Sequence, residues 1–160
     1  MAATIRPGTK EDLPRVLALI QELAEFEREP DAVETTVESM TQDGFGDQPI
    51  FKFFVAEDQN EIIGLALYFY SYSTWKGKCI YLEDLIVTES HRGQGIGRRL
   101  LDKVVVRAKE ENAKRVVWQV LDWNTAAIEF YKSLGADLLT EWITCRLTEE
   151  QVQEYKSVEK

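Results

Sequence analysis

A strand, a glycine-rich turn and a helix follow one another between residues 81 and 105, and this succession most constrains the fold. The strand at 81–87 is apolar and partly β-branched, and apolar residues return at helical spacing after the turn. Gly93, Gly95 and Gly97 free the backbone between them to turn sharply and to approach a ligand closely. A helix start also presents unpaired N–H groups and the positive end of the helix dipole. The stretch therefore predicts a phosphate-binding turn; a tight strand-to-helix turn without a ligand is the alternative.

The spacing of the glycines does not fit the two common nucleotide-binding motifs. A dinucleotide fingerprint needs G-x-G-x-x-G and an acidic residue about 20 positions later. Here the third glycine comes one place early, and residues 116–118 are apolar. A P-loop ends in Gly-Lys-Ser/Thr, whereas Gly97 is followed by Arg98 and Arg99. With Arg92, these arginines supply the positive charge that a phosphate ligand requires.

The composition limits the class of partner. The chain has 160 residues, 44% of them hydrophobic and 29% charged, which predicts one globular domain over 1–160. The formal net charge of -9 disfavours nucleic acid and suits a cationic partner. No apolar run reaches the roughly 18 residues of a membrane span, and no signal-peptide core is visible, so we expect a cytoplasmic protein. With His91 as the only histidine and no C-x-x-C pair, we expect no metal site; Cys79 and Cys145 are expected to be buried thiols.

Hydrophobic periodicity and turn residues predict an α/β (mixed α+β) fold with a mainly antiparallel central sheet flanked by helices. The expected order is β-α-α-β-β-β-α-β-α-β, so that the glycine-rich turn lies between the fourth strand and the third main helix. The predicted strands are 3–6, 51–57, 62–70, 81–87, 115–121 and 138–147; the predicted helices are 10–29, 36–42, 96–112 and 125–134, with a short last helix after 148.

Five short motifs follow one another along the chain: Asp43–Gly46, Tyr81–Asp84, Arg92–Gly97, Trp123–Asn124 and Phe130–Ala136. Taken in order, they resemble those of the GNAT acetyltransferase superfamily and, within it, of spermidine/spermine acetyltransferase-like enzymes. The stretches 73–77 and 120–124 are most similar to the thialysine-acetylating branch. The resemblance runs from Ile5 to Trp142 and implies the GNAT fold with acetyl-CoA as co-substrate. It also implies direct transfer of an acetyl group to the primary amine of a small molecule, such as a diamine, a polyamine or a thialysine-like amino acid.

The resemblance also implies how the cofactor is held. Main-chain groups of the central strand would hold the pantetheine arm as a strand holds its neighbour, and the glycine-rich turn would bind the diphosphate. Asn124 would lie by the pantetheine, and Tyr131 near the thioester sulfur. The predicted cofactor-binding residues are Leu85, Ile86, Val87, Arg92, Gly93, Gln94, Gly95, Ile96, Gly97, Arg98, Asn124 and Tyr131.

Transfer to an amine requires a group that takes the ammonium proton and a group that protonates the departing thiolate. Glu83 is the predicted base, acting through water, because its apolar neighbours suggest burial, which would raise the pKa of its carboxyl group. In a regular strand Glu83 and Asp84 point to opposite faces, so both can face one amine only across a bulge. Tyr131 is the predicted general acid, seven residues after Asn124 on the same helix face; a core aromatic is the alternative.

The predicted substrate-binding residues are Glu27, Trp75, Glu83 and Asp84. From its sequence context alone, Glu27 fits a solvated helix end; the resemblance adds the role in binding a cation. Two residues depart from the polyamine-acetylating branch: Phe26 stands where that branch has Tyr, and Ser73 where it has an acid. Both changes favour a shorter amine or an amino acid with a side-chain amine.

Two further functions remain open at this point, an acetyltransferase for protein lysines or N-termini and a non-catalytic acyl-CoA-binding module. The family typically forms homodimers, so we expect a homodimer, to which Trp142, Ile143 and Leu147 could supply an exchanged or paired edge strand.

Overall fold

The computed structural model describes residues 3–159. Its elements follow the predicted order up to the last strand. They are β1 (Thr4–Pro7), α1 (Leu13–Phe26), α2 (Val37–Phe45), β2 (Lys52–Asp58), β3 (Glu61–Ser73), β4 (Gly77–Val87), α3 (Ile96–Glu110), β5 (Val116–Val117), α4 (Thr125–Ser133) and α5 (Glu149–Gln153). The chain divides into two compact units, Met1–Leu121 and Asp122–Lys160. The single domain expected over 1–160 stays a prediction.

The five strands form one sheet in the order β1-β2-β3-β4-β5. The first three pairs are antiparallel, and β4 and β5 are parallel. The expectation of a mixed, mainly antiparallel sheet is therefore confirmed. β5 pairs with β4 only at Ile80 and Tyr81, so that β4 continues from Leu82 to Val87 with β3 as its single neighbouring strand among residues 3–159.

Helices cover both faces of the sheet. On one face Leu13, Val16 and Leu19 of α1 belong to the same buried cluster as Leu65 and Leu67 of β3. Alternate residues of a strand point to opposite faces, and a Cβ added at Gly64 would meet Leu100 of α3 at 3.0 Å. The absence of a side chain at Gly64 lets α3 pack closely against the opposite face.

Several element boundaries differ from the predicted ones, most clearly those of α2, β3 and β5. α2 continues to Phe45 through the turn-forming residues Asp43 and Gly44, because capping by Thr36 at its start and packing of its buried Met40 outweigh their weak helix propensity. β3 extends to Ser73, and a hairpin of three residues joins it to β4. β5 is only two residues long, since it departs from β4 after Val117.

The strand predicted at 138–147 is absent from the described part of the chain. A strand needs a hydrogen-bonded neighbour, and apolar composition alone does not supply one. Trp142 and Ile143 are 67% and 86% exposed. The expected burial of the thiols is right for Cys79 and wrong for Cys145, which is exposed. No helix within residues 3–159 has both the length and the apolar character needed to cross a membrane.

Candidate active site

A β-bulge at Glu83 reorganises the central strand. Leu67 of β3 pairs with Asp84, whereas the next residue, Tyr68, pairs with Leu82, so Glu83 is one extra residue on β4. Directly paired residues project to the same face of a sheet. Asp84 therefore shares the face of Leu67, which packs beneath α1, while Leu82 shares the opposite face with Tyr68, whose hydroxyl lies 3.5 Å from the Arg107 guanidinium of α3. The bulge that the sequence analysis required for Glu83 and Asp84 to serve one ligand is thus present.

Three carboxyl groups meet at this bulge. Glu27 directly follows the last residue of α1. Burial, and then the neighbouring charges of Glu83 and Glu27, raise the pKa of Asp84 to about 7. Burial, and then Glu83, also raise the pKa of Glu27. Negative charge is thus concentrated between the end of α1 and the middle of β4, and a bound cation would relieve the mutual repulsion.

The predicted burial of Glu83, on which its choice as the base depended, is wrong. Glu83 is exposed, and Asp84 is the half-buried member of the pair. The apolar neighbours of Glu83 in the sequence indicated burial, but the bulge takes Glu83 out of the regular alternation of β4. The carboxyl group whose pKa lies near neutrality is therefore that of Asp84.

Two aromatic residues beside the carboxyl groups were missed by the sequence analysis. Phe69 and Tyr81 pair across β3 and β4, and their rings stack with centroids 5.0 Å apart. The pKa of Tyr81 is raised by burial and then by the charge of Glu83. We call Glu27, Glu83 and Asp84 the acidic cluster. Aromatic faces attract cations, so the ring of Tyr81 adds a second cation-attracting group beside it. Only the position of Tyr81 two residues before Glu83 could have indicated this.

Trp75 does not join the acidic cluster within one chain. It lies in the hairpin between β3 and β4, is 77% exposed, and donates its main-chain N–H to Ser73 Oγ at 3.2 Å. Extended β4 rises by about 3.3 Å per residue, which separates the start of β4 at Gly77 from Glu83 by roughly 20 Å. The structure brings together Glu27, Glu83 and Asp84 and leaves Trp75 at the other end of β4.

The glycine-rich turn has the backbone of an anion site. Gly93 and Gly95 both have φ near +77°, a region that side chains disfavour. Gly95 is the N-cap of α3, and without a side chain it cannot cap the free N–H groups of the first turn, which begins at Ile96. A Cβ at either Gly93 or Gly95 would meet no described atom within 4 Å. Open space, unpaired amides and the helix dipole fit a diphosphate.

The unpaired edge of β4 leads to this turn. Thr88 donates its N–H to the carbonyl of Ile63 at 2.8 Å, so its main chain faces β3. Main-chain groups alternate in direction along an antiparallel strand. Leu85 and Val87 therefore direct their N–H and C=O groups away from β3, to the side that β5 has left, whereas Ile86 faces β3. Of the predicted strand contacts, Leu85 offers its N–H and C=O groups to an extended ligand, and Val87 offers its N–H, since the Val87 carbonyl accepts from Arg92 Nε.

The arginines of the turn have partners in the protein. Arg92 Nε donates to the carbonyl of Val87 at 2.8 Å, and Arg92 Nη2 lies 3.5 Å from Glu22 of α1. Arg98 Nε bonds Asp102 at 2.9 Å, one helical turn further along α3. Direct contact of Arg92 or Arg98 with a diphosphate stays a prediction. Gln94 is exposed and Ile96 is buried, so Ile96 offers its amide rather than its side chain.

In the unit Asp122–Lys160, Asn124 and Tyr131 lie on one helix. The Asn124 side-chain oxygen accepts the N–H of Ala127 at 3.3 Å, so Asn124 is the N-cap of α4. Tyr131 follows two turns later on the same helix. The ring of Phe130 lies 5.6 Å from that of Tyr131.

Comparison with known protein families matches residues 16–136 to "Acetyltransferase (GNAT) family". The chain belongs to this family. It is 40% identical to the thialysine N-epsilon-acetyltransferase of Bos taurus, over 94% of this chain and 95% of that protein. It is 38% identical to the spermidine/spermine N(1)-acetyltransferase-like protein 1 of Homo sapiens, over 92% of this chain and 23% of that protein.

Solved structures agree with the GNAT assignment. An integron cassette protein from the mobile metagenome of V. cholerae superposes with a TM-score of 0.79, at 25% identity and with 96% of each chain covered. The chain is an acetyltransferase with the mixed sheet of the GNAT fold. Members of the family use acetyl-CoA as co-substrate, and the open turn after β4 fits its diphosphate.

The raised pKa of Asp84 gives a prediction for stability. A carboxyl group with a folded-state pKa above its unfolded value favours folding at low pH and disfavours it progressively as pH rises toward about 7. Asp84→Asn should therefore raise the free energy of unfolding at pH 8 by more than about 1 kcal/mol. The gain should shrink as pH falls from 7 to 4.

Urea unfolding of both proteins at pH 4, 6 and 8 measures this difference. Asp31→Asn, which changes an exposed loop carboxylate, is the control and should show no comparable trend. A pH-independent difference for Asp84→Asn would contradict the raised pKa.

Gly95→Val should abolish most of the affinity for coenzyme A. The new side chain projects into the open space of the turn, where a diphosphate would lie, and φ near +77° adds about 1–2 kcal/mol of strain. Gly77→Val is the matched control, because Gly77 also has positive φ, +110°, but lies at the other end of β4. Isothermal calorimetry should show at least a tenfold loss for Gly95→Val alone; equal affinities would exclude the turn as the site.

Proposed function

We propose that the protein transfers the acetyl group of acetyl-CoA to the primary amine of a small molecule, such as a diamine, a polyamine or a thialysine-like amino acid. The observation that carries this proposal is the cluster of Glu27, Glu83 and Asp84 beside the unpaired edge of β4. An acidic cluster next to a diphosphate turn suits a cationic acceptor and an anionic donor. The identity to thialysine N-epsilon-acetyltransferases supports an amine acceptor.

The chain's own residues provide three functions. Main-chain amides of the turn from Gly93 to Arg98 bind the diphosphate, and the N–H and C=O groups of Leu85 with the N–H of Val87 hold the pantetheine arm by strand-like hydrogen bonds. Acetyl-CoA supplies the activated acetyl group. Glu27, Glu83 and Asp84 bind the ammonium form of the acceptor and receive its proton.

Two carboxyl groups are candidates for the proton acceptor. Glu83 stays the predicted base, acting through water, which its exposure permits. Asp84 is a second candidate, favoured by its pKa of about 7, since a base titrating near neutral pH can both accept and release a proton there. Glu27 and Glu83 tune Asp84 by raising its pKa.

Tyr131 is the proposed general acid for the departing thiolate. Its phenol is an O–H donor that can protonate a departing thiolate, and Asn124 on the same helix would contact the pantetheine. This assignment rests on the resemblance to the family and on the shared position of both residues on α4.

The choice of amine follows from one of the two departures from the polyamine branch, the one at Phe26. Phe26, whose side chain is 44% exposed, directly precedes Glu27 of the acidic cluster, at a position where that branch has a hydroxyl. Ser73 lies at the hairpin end of β3, distant from the cluster. Its hydroxyl oxygen accepts hydrogen bonds from the main-chain N–H groups of Trp75 and Lys76. We expect a short diamine or a thialysine-like amino acid to be preferred to spermine.

A homodimer in the cytoplasm is part of the proposal. In the unit Asp122–Lys160, Leu139, Trp142, Ile143, Leu147 and Tyr155 are all more than half exposed. Several exposed apolar residues in so short a segment suit burial against another protein surface. A second copy of this chain is the proposed partner, and sedimentation velocity measures it.

A panel of acceptors tests the proposed function. Thiol release from acetyl-CoA should occur with thialysine and short diamines, and more slowly with spermine and with lysine-containing peptides. Faster turnover on peptides would favour the alternative protein acetyltransferase. Binding of coenzyme A without turnover of any amine would favour a non-catalytic acyl-CoA-binding module.

Tyr131→Phe should lower kcat by about a hundredfold, the range in which general acids contribute, while the acetyl-CoA KM changes by less than about threefold. Removal of the hydroxyl takes away the proton donor but leaves the ring in place. Tyr155→Phe, an exposed tyrosine of the same unit, is the control. An unchanged kcat would remove Tyr131 from the mechanism.

The pH dependence of kcat distinguishes the two candidate bases. If Asp84 accepts the proton, Asp84→Asn should abolish the rise of kcat near pH 7. Glu83→Gln should then shift this rise to lower pH, because it removes a charge that raises the pKa of Asp84. If Glu83 is the base, Glu83→Gln should abolish the rise instead. Glu27→Gln should also shift the rise of kcat to lower pH if Asp84 is the base. It should not do so if Glu83 is the base.

A further inference from the structure

Glu22 of α1 makes a set of contacts that the proposed chemistry does not use. Both of its carboxylate oxygens accept the Thr88 hydroxyl, at 3.2 and 3.0 Å. One of them also accepts the main-chain N–H of Glu89 at 2.9 Å. Glu89 begins the 3-10 turn that leads from β4 to the glycine-rich turn. Glu22 therefore caps this turn from another element, as an N-cap residue does within a helix.

Arg92 closes the same assembly. Its guanidinium lies 3.5 Å from Glu22, donates to the carbonyl of Val87 and lies 5.5 Å from the ring centre of Phe26. We call Glu22, Thr88, the Glu89 amide and Arg92 the α1 clamp. It joins the entrance of the diphosphate turn to α1, five residues before Glu27 of the acidic cluster.

The turn needs such support because of its composition. Glycines lose more backbone entropy on ordering than other residues, and Gly93 and Gly95 contribute no side chains to hold the turn. A binding site of main-chain amides gains affinity when it is ordered before the ligand arrives. The contacts of Glu22 lie immediately before this flexible stretch and fix its starting direction.

We propose that Glu22 is a positioning residue for acetyl-CoA: through the α1 clamp it orders the turn whose amides bind the diphosphate. This inference rests on the proposed function. Glu22 does not touch the ligand, and as an anion it would by itself repel a diphosphate. Removal of the Glu22 carboxylate therefore changes the affinity for the diphosphate in opposite directions under two hypotheses. If Glu22 only restrains Arg92, its loss frees a cation and strengthens binding; if it orders the turn, its loss weakens binding.

Calorimetric titration with coenzyme A tests the proposal. Glu22→Ala should weaken binding about fivefold to tenfold, the size of a lost cap. Glu22→Gln should stay within about threefold of the unsubstituted protein, because the amide oxygen still accepts from Thr88 and Glu89 and the exposed ion pair contributes little. Glu25→Ala, an exposed carboxylate on the same helix, removes the same charge without touching the turn and is the control.

Equal or tighter binding by Glu22→Ala would overturn the proposal, as would a Glu22→Gln variant as weak as Glu22→Ala. Thr88→Val removes the hydroxyl that donates to Glu22. Alone, this substitution should weaken coenzyme A binding about threefold; combined with Glu22→Ala, it should cause no further loss of affinity. If Glu22→Ala does not fold, Glu22→Gln and Thr88→Val decide: tight binding by Glu22→Gln with weak binding by Thr88→Val supports the clamp, and any other result overturns it.

Steady-state kinetics adds a second readout. Glu22→Ala should raise the acetyl-CoA KM with kcat within about threefold, whereas a fall in kcat alone would overturn the assignment. Failure of the proposed function is distinguishable, because it appears in the unsubstituted protein. An unsubstituted protein that binds coenzyme A but acetylates no amine contradicts the function, and the calorimetric comparison of variants still decides the role of Glu22.

Discussion

The site depends on two irregularities of β4. On one side the strand loses its pairing with β5, and on the other side it carries one extra residue relative to β3. After Tyr81, β5 no longer pairs with β4, and opposite Leu67 and Tyr68 the extra residue Glu83 enters the strand. The first change leaves main-chain groups of Leu85 and Val87 available to an extended ligand. The second turns Asp84 toward the face of α1. One strand thereby serves both an anionic donor and a cationic acceptor.

Negative and positive charge are separated along β4 in the same way as the two binding regions. The three carboxyl groups gather at the bulge, under the end of α1, where burial and then mutual repulsion raise the pKa values of Asp84 and Glu27. The positive end of α3 lies after the strand, where glycines leave the amides bare. Because α1 carries both Glu27 and Glu22, the same helix bounds the acidic cluster and contacts the entrance of the diphosphate turn. The two binding regions are therefore linked through one rigid element.

Both regions are locally unfavourable, and the core supports them. Ordering the glycines of the turn costs backbone entropy, and like charges held together reduce stability. Against this, residues from α1, β2 and β3 such as Val16, Val55 and Leu65 are fully buried. Arg6 adds a two-pronged bond to Asp12, at 2.8 and 2.9 Å, that anchors the chain just before α1. Rigid packing on this side keeps α1, and hence Glu27 and Glu22, in place beside β4.

The sequence by itself determined the order of the elements up to α4, the glycine-rich turn and the family, because these depend on local periodicity, on glycine and on short motifs. It also named Glu27, Glu83 and Asp84 together. Tertiary structure decided the rest. A bulge depends on the register with β3, so only the paired strands could show that Asp84 rather than Glu83 is half-buried. The position of Trp75 depends on the length of the hairpin, and the predicted strand at 138–147 lacked a partner that composition cannot provide. The role of Arg92 depends on Glu22, 70 residues earlier in the chain, and contacts over such a separation leave no local pattern.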